Sequence, residues 1–294
     1  MTNSVRTTYL DIAYEEAGNP HEIPLVLLHG WPDDVGCWRE VVPLLEREHR
    51  LLLPSLRGHG ETRFRSSDSV RSGETAALAD DLIAFIDALE LGPVVIAGHD
   101  WGARAGYAVA ACRPDLVHGL VALSAGYAAS GPTTPVPYDL ARAYWYEWFV
   151  ATERGRRAFT EDRREICRYL WRTWSPAWEF TESEFARTAR AWDNDDWPRI
   201  TAHAYLNRWG EQPGAPEYAD LDQHLATHPP IEAPTVVLHG ADDRDNLPHT
   251  TETQRRYFTG PYQRHVLPGI GHFVPREAPA TTARAITDLT HRTR

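Results

Sequence analysis

Residues 93–102 read Pro93-Val94-Val95-Ile96-Ala97-Gly98-His99-Asp100-Trp101-Gly102, and the alanine-rich run Ala103 to Cys112 follows. The first part is short, apolar and β-branched, which suits a buried strand. The last part suits a helix. Gly98-x-Asp100-x-Gly102 is then a tight strand-to-helix turn, the nucleophile-elbow pattern Gly-x-Nuc-x-Gly. Glycine on both sides lets the backbone bend sharply and raises the central side chain unobstructed. Serine is the usual occupant, needs a base to activate it and attacks acyl carbon. A carboxylate is already ionised at neutral pH and can displace a leaving group from saturated carbon. Glycine-flanked acidic turns are common, so the rest of the chain must decide.

On both sides of the elbow the pattern is strand, helix, strand. Residues 5–18 read as a strand pair, and Pro24–His29 as an apolar strand ending at Gly30. Val35–His49 has helical spacing through Trp38, Val41, Val42 and Leu45. Arg50–Pro54 is another apolar strand. Glu74–Leu91 is an amphipathic helix with Leu78, Leu82, Phe85, Ile86 and Leu89 on one face, and Leu116–Leu123 is a strand. After about Ala125 the alternation stops. Residues 127–228 are charged and aromatic, and hold eight of the 11 tryptophans. Strand character resumes at Pro234–Gly240, followed by a strand at Gln263–Leu267 and a helix over Pro275–Arg292. Strands apolar throughout, alternating with helices, predict an α/β fold with a mostly parallel sheet covered on both faces. The expected organisation is a core of residues 1–126 and 229–294 with a helical cap, 127–228, inserted over the C-terminal ends of the strands. A separate helical domain is the plainer account of the insertion.

Bulk composition narrows the function classes. The net charge is −11 with no basic run, which argues against nucleic acid or an anionic membrane as the main partner. All 30 basic residues are arginine, so a Schiff-base lysine mechanism is excluded. Cys37, Cys112 and Cys167 are far apart and odd in number, which suggests neither a disulfide framework nor a zinc site and fits a reducing, cytoplasmic setting. The N-terminal residues lack an apolar signal core, and no run approaches the roughly 20 apolar residues of a membrane helix. No metal or organic cofactor is expected, because no ligand set has zinc spacing and the glycine turns lack a dinucleotide fingerprint.

Three further segments supply what Asp100 would need. His272 lies in Gly269-Ile270-Gly271-His272-Phe273, after the last strand. Asp243 lies in Gly240-Ala241-Asp242-Asp243, after the strand before it, with Asp242 as its rival. The order nucleophile, acid, histidine matches the hydrolase order for this elbow. His29-Gly30-Trp31-Pro32 ends the first core strand in a tight, cis-compatible turn. It would aim the Trp31 N–H at the site, where it would form an oxyanion hole with the N–H of Trp101. The plainer reading of this segment is an ordinary strand-ending turn. His59 and His99 are read as structural hydrogen-bonding residues.

These motifs, with Arg57-Gly58-His59-Gly60, resemble the α/β-hydrolase superfamily over nearly the full chain, and within it the epoxide hydrolase branch. The resemblance implies hydrolysis of an epoxide to a vicinal diol (the 3.3.2 class of hydrolases) through an alkyl ester on Asp100, with water as co-substrate. It also implies two cap tyrosines that hydrogen-bond the epoxide oxygen. Tyr146-Glu147-Trp148-Phe149 matches the first pattern, with Tyr144 as its rival. His203-Ala204-Tyr205-Leu206 is similar to the second, with Leu206 where arginine is usual. The expected site is therefore Asp100, His272, Asp243, Tyr146 and Tyr205, with pocket residues His29, Pro32, Trp148, Phe149 and Phe273. The aromatic cap suggests a small apolar or aromatic epoxide. Haloalkane and haloacetate dehalogenases share the aspartate elbow, and Trp101 is compatible with a halide site. However, Trp101 and Trp31 stand where those families place arginine or asparagine, and only Arg104 remains of the carboxylate-holding pair. Two non-enzymatic roles are compatible with the same fold: binding a ligand without turnover, and binding protein partners through the cap. A full Asp/Asp/His set argues against both.

Overall fold

The computed structural model describes residues 2–128 and 135–293, so residues 129–134 of the expected insertion lie outside the described residues. The strands are β1 (Thr2–Arg6), β2 (Leu10–Gly18), β3 (Pro24–Leu28), β4 (Arg50–Pro54), β5 (Arg63–Phe64), β6 (Val94–His99), β7 (Val117–Leu123), β8 (Thr235–Gly240) and β9 (Tyr262–Leu267). They form one sheet in the order β1-β2-β4-β3-β6-β7-β8-β9, with β5 paired to β2. β2 pairs antiparallel with β1, β4 and β5, while β4, β3, β6, β7, β8 and β9 run parallel. The sheet is thus mostly parallel, as its all-apolar strands require.

Period-two alternation divides the strand residues between two apolar clusters. Val26, Leu28, Ile96, Leu120 and Ala122 face α2 (Thr75–Ala88) and α3 (Trp101–Cys112). Leu25, Leu27, Val95, Ala97, Val121 and Leu123 face α1 (Val42–Leu45) and the C-terminal helix. The expected helix over Val35–His49 is instead a 3-10 turn at Val35–Trp38 followed by α1. Pro43 sits in the first turn of α1, where its missing N–H costs nothing, and it prevents the helix from running on from Trp38.

Between β7 and β8 the described residues form α4 (Tyr138–Ala143), α5 (Trp145–Phe149), α6 (Glu153–Glu161), α7 (Arg163–Trp174), α8 (Glu182–Thr188), α9 (Trp197–Arg208) and α10 (Ala219–Leu225). Their buried faces join the α2/α3 cluster without a break: Tyr146, Trp171, Trp174, Trp197 and Tyr205 belong to the same cluster as Trp31 and Trp101. At the C-terminus, α11 (Val274–Glu277) and α12 (Pro279–Thr293) replace the single expected helix. Ala278 lies between them in a non-helical conformation, as a residue preceding proline is forced to be.

A buried ionic clamp joins the insertion to two core loops. Arg276 on α11 makes two bonds to Asp33, of 2.6 and 3.0 Å, and reaches Glu184 at 2.8 Å and Thr188 at 2.9 Å on α8. Asp33 follows the Trp31-Pro32 turn, so the clamp fixes that turn against the loop that carries His272. Removing one partner of such a pair leaves an uncompensated buried charge. Asp33→Ala is therefore expected to cost about 3 kcal/mol of stability or more. Denaturant unfolding measures it, and a loss of less than about 1 kcal/mol would show that Glu184 and Asp34 suffice.

Candidate active site

The elbow is strained in the way its sequence predicts. Asp100 has φ +49° and ψ −110°, a region non-glycine residues avoid. A Cβ on Gly98 would fall 2.4 Å from the Gly102 backbone, and one on Gly102 would fall 2.6 Å from the His29 carbonyl. Only glycine on both sides lets β6 and α3 meet at this angle. The Asp100 carboxylate is 5% exposed, and its Oδ1 accepts the Trp31 N–H at 2.9 Å. The Trp31–Pro32 peptide is cis. Trp101 opens α3, so its amide is among the first-turn N–H groups that lack an acceptor within the helix.

The structure brings His272 and Asp243 together. His272 Nδ1 lies 3.0 Å from Asp243 Oδ2, whereas Asp242 is exposed. This bond holds one proton on Nδ1 and leaves Nε2 as the nitrogen at which the ring gains or loses its second proton. Nε2 is buried and has no partner among the described residues. Ionisable atoms of Asp100, His272 and Asp245 all lie within 4.8 Å of one another. Burial alone would lower the His272 pKa, but Asp243, with Asp245 and Asp100 beyond it, outweighs burial and raises it to about 9. Asp243 is likewise pushed up by burial but pulled below the ordinary carboxylate range by His272 and His239.

Several residues that fix this geometry carry no sequence signal. Ser175, between α7 and α8, accepts the His272 N–H at 2.8 Å and donates to Glu277 at 2.6 Å. Ser124 donates to the His272 carbonyl at 2.6 Å, and His99 Nε2 donates to the same oxygen at 2.9 Å. Asn246 directs its Nδ2 toward Asp100 Oδ2 at 3.5 Å and accepts the Tyr144 hydroxyl at 2.7 Å. Asp245 and Asn246 sit two and three residues beyond Asp243, in a stretch that reads only as a polar turn.

Tyr146 and Tyr205 come from α5 and α9 and meet at the Trp31 ring. Tyr146 stacks on Trp31 with centroids 5.5 Å apart and planes 8° apart, and Tyr205 stands edge-on to Trp31 at 5.2 Å. The two rings meet edge to face with centroids 5.2 Å apart, and the Asp100 charge acts on both hydroxyls. Burial pushes both phenols well above their ordinary pKa. Tyr146 also donates to Glu147 Oε1 at 3.1 Å, and Arg208 and Trp209 hold that carboxylate at 2.7 and 2.6 Å. The Tyr146 hydroxyl thus has a fixed acceptor. Tyr144 turns instead to Asn246.

Three expected pocket residues lie elsewhere. His29 is fully buried with both nitrogens engaged: Nδ1 at the Gly30 carbonyl, 2.9 Å, and Nε2 accepting the Leu56 N–H, 3.0 Å. It therefore supports the floor of the site rather than lining it. Trp148 is 38% exposed and packs on Trp209 with centroids 4.2 Å apart, because α5 turns Tyr146 inward and Trp148 outward. Phe149 packs on Trp145 at 5.7 Å. Pro32 and Phe273 are at the site: the Pro32 carbonyl accepts the Trp171 N–H, and Phe273 packs on both His272 and Trp174. A cavity of about 510 Å³ bordered by Trp101, Arg104, Tyr205 and Arg208 adjoins the aromatic cluster. A larger one, about 650 Å³, lies near Arg39, Arg63 and Arg190, away from Asp100.

The buried histidines make stability depend on pH. Burial lowers the pKa of His29 and His99 to about 4 and of His59 to about 3. These residues bind fewer protons folded than unfolded, so their contribution is complete above about pH 6.5. It declines as the pH falls toward their folded values, on the order of 3 kcal/mol for each. His272 has the opposite sign: its contribution is complete below about 6.5 and is lost as the pH rises through about 9. Stability should peak between these limits and fall steeply below pH 6. Thermal unfolding across pH checks this, and a melting temperature unchanged from pH 7 to pH 4.5 would refute it.

The parallel sheet, the elbow and the loop order define a class. The family described as the alpha/beta hydrolase fold matches residues 23–279, and the chain belongs to it. A Klebsiella pneumoniae crystal structure, provisionally described as an epoxide hydrolase, is similar with 37% identity and a TM-score of 0.94, covering 99% of this chain and 97% of that one. The soluble epoxide hydrolase of Corynebacterium sp. (strain C12) is 33% identical over 129 residues, which is 43% of this chain and 43% of that enzyme. Epoxide hydrolase 4 of Mus musculus is 22% identical over 283 residues, 94% of this chain and 75% of that protein. The matches thus run from under half to nearly all of a relative's length. Among the described residues no helix is long and apolar enough to cross a membrane.

Proposed function

We propose that the protein hydrolyses an epoxide to a vicinal diol. The observation that carries this reading is a carboxylate nucleophile, Asp100, on a strained elbow, with two tyrosines from α5 and α9 packed edge to face against each other and against Trp31. Asp100 attacks an epoxide carbon in line with the C–O bond. Tyr146 and Tyr205 donate hydrogen bonds to the oxygen as it takes up charge, and for Tyr146 this bond replaces the one to Glu147. Without such donors an alkoxide is too poor a leaving group. The product of this step is an alkyl ester on Asp100. His272, oriented through Nδ1 by Asp243 and easier to deprotonate once Asp100 has become a neutral ester, then acts as the neutral imidazole and removes a proton from water at Nε2, and the hydroxide adds to the Asp100 carboxyl carbon. The Trp31 and Trp101 N–H groups stabilise the tetrahedral oxyanion, and the diol departs. The relatives named as epoxide hydrolases support the same reading.

The aromatic enclosure favours an apolar or aromatic epoxide of modest size. A dehalogenase draws less support, because a halide needs converging N–H donors and the Trp31 indole N–H is already bonded to Thr201 at 2.9 Å. Diol formation from styrene oxide and trans-stilbene oxide, run beside halide release from the corresponding bromides, separates the two chemistries. Diol alone is expected, and halide without diol would overturn the proposal. Tyr146→Phe should reduce kcat about 100-fold, the cost of one lost donor to a developing oxyanion. Activity within threefold of the parent would remove Tyr146 from the mechanism.

A further inference from the structure

Asp245 is a carboxyl group that the reaction as written does not use, and it stands inside the reaction centre. It is buried, 4.0 Å from His272 Nδ1 through Oδ2. Its Oδ1 is buried without a hydrogen-bond partner among the described residues. Oδ2 accepts the Asn246 amide at 3.2 Å, and the same amide nitrogen points at Asp100 Oδ2 at 3.5 Å. One NH₂ group therefore spans two carboxyls. The Tyr144 hydroxyl, donating to the amide oxygen, fixes which end of Asn246 faces them.

Charge makes this arrangement unusual. Asp243 and Asp100 face Asp245 from its own loop and from the elbow, Glu147 acts on it from α5, and His272 acts on it in the opposite direction. Burial, reinforced by the three carboxylates, pushes the Asp245 carboxyl well above its ordinary range despite His272. Two adjacent carboxyls in a dry site do not both ionise readily. Asp100 must be ionised to attack, which leaves Asp245 to carry the proton.

We propose that Asp245 is the proton store of the reaction centre, giving its proton to the alkoxide when Asp100 is alkylated and recovering it when the ester is hydrolysed. In the first step the C–O bond of the epoxide breaks and the Asp100–carbon bond forms. The oxygen takes the Asp245 proton by way of the tyrosine hydroxyls, on both of which the Asp245 charge acts. Asp100 becomes a neutral ester and Asp245 a carboxylate, so the net charge of the enclosure is unchanged. In the second step water adds its hydroxide to the ester carbon and its proton to His272. Collapse releases the diol oxygen, which takes the proton from His272, and Asp100 is left as the carboxylic acid. That proton returns to Asp245. The sum is epoxide plus water to diol, with no proton drawn from solvent.

This inference rests on the epoxide reading, and the test separates the two. His272→Gln stops the cycle at the ester. The protein is mixed with excess styrene oxide in weak buffer containing a pH indicator, and ester is counted by intact mass. Ester formation is expected without net proton uptake. In His272→Gln/Asp245→Asn each ester should take about one proton from solvent and form roughly 10-fold more slowly. Proton uptake by the single variant, or none by the double, overturns the role of Asp245. Absence of diol formation by the unsubstituted protein overturns the epoxide reading beneath it. If the double variant does not fold, the single variant still decides. Its deuterium-sensitive carboxylic acid infrared band should disappear as ester forms, and a band that persists refutes the proposal.

Discussion

Replacing Asp100 with alanine is expected to lower epoxide turnover by about 10⁴-fold or more, since removing the nucleophile removes the covalent route entirely. The fold should survive. Asp100 is held in a positive-φ conformation that costs energy, and its carboxylate is confined in a nearly inaccessible site beside two other titratable groups, Asp245 and His272. Alanine removes the confined charge while keeping a Cβ of the same reach. Stability should therefore be unchanged or higher, the pattern of a residue that serves chemistry at the expense of packing. Diol formation and thermal unfolding measured on the same preparation test both halves. Residual activity above about one per cent would mean that water attacks the epoxide directly and that Asp100 only orients it.

His272→Gln should produce the second large effect, a fall in kcat of about 10³-fold, within the usual range for a general base. The effect should be confined to hydrolysis of the ester. Nδ1 faces Asp243 and Nε2 is buried and unbonded near Asp100, so the imidazole is placed to take a proton from water rather than to activate a carboxylate that is already ionised. Rapid mixing should show a burst of one ester per site followed by very slow diol release. Intact mass should show the added epoxide on Asp100, and hydrolysis of that ester in heavy-oxygen water should place label in Asp100. Label found only in the diol would overturn the ester route, and a burst lost together with steady-state turnover would assign His272 to the first step.

How much of this was legible in the sequence follows from how local each feature is. The elbow needs only adjacent residues: an apolar strand, two glycines around Asp100 and a helix-forming run. The glycine contacts and the positive φ are what that pattern requires. The core strands were legible for the same reason, because each is a short apolar run of five to seven residues. The two helices that differ from expectation do so for a local reason as well. Pro43 and Pro279 break periodicities that apolar spacing alone extends across them.

The insertion was harder to read. Its apolar residues are aromatic and dense, so spacing does not separate the ring that faces the site from the ring that faces solvent. Tyr146 and Trp148 are two residues apart on one short helix, and one is buried while the other is half-exposed. Glu147, Ser175 and Arg276 act on partners 61, 97 and 243 residues away in the chain. No local pattern marks such residues.

The apolar strands of the α/β sheet, the break in their alternation with helices and the glycine-flanked turn at Asp100 could all be read before the chain was folded, because each depends on neighbours within one or two turns of chain. The folded arrangement was needed to learn that Asp243 rather than Asp242 faces His272 Nδ1, that the Tyr146 and Tyr205 rings meet at Trp31, and that Asp245 stands close to both Asp100 and His272. These depend on side chains brought together from separate loops into a space that excludes water. There the removal of solvent, rather than residue type, sets the charge and the role of each group.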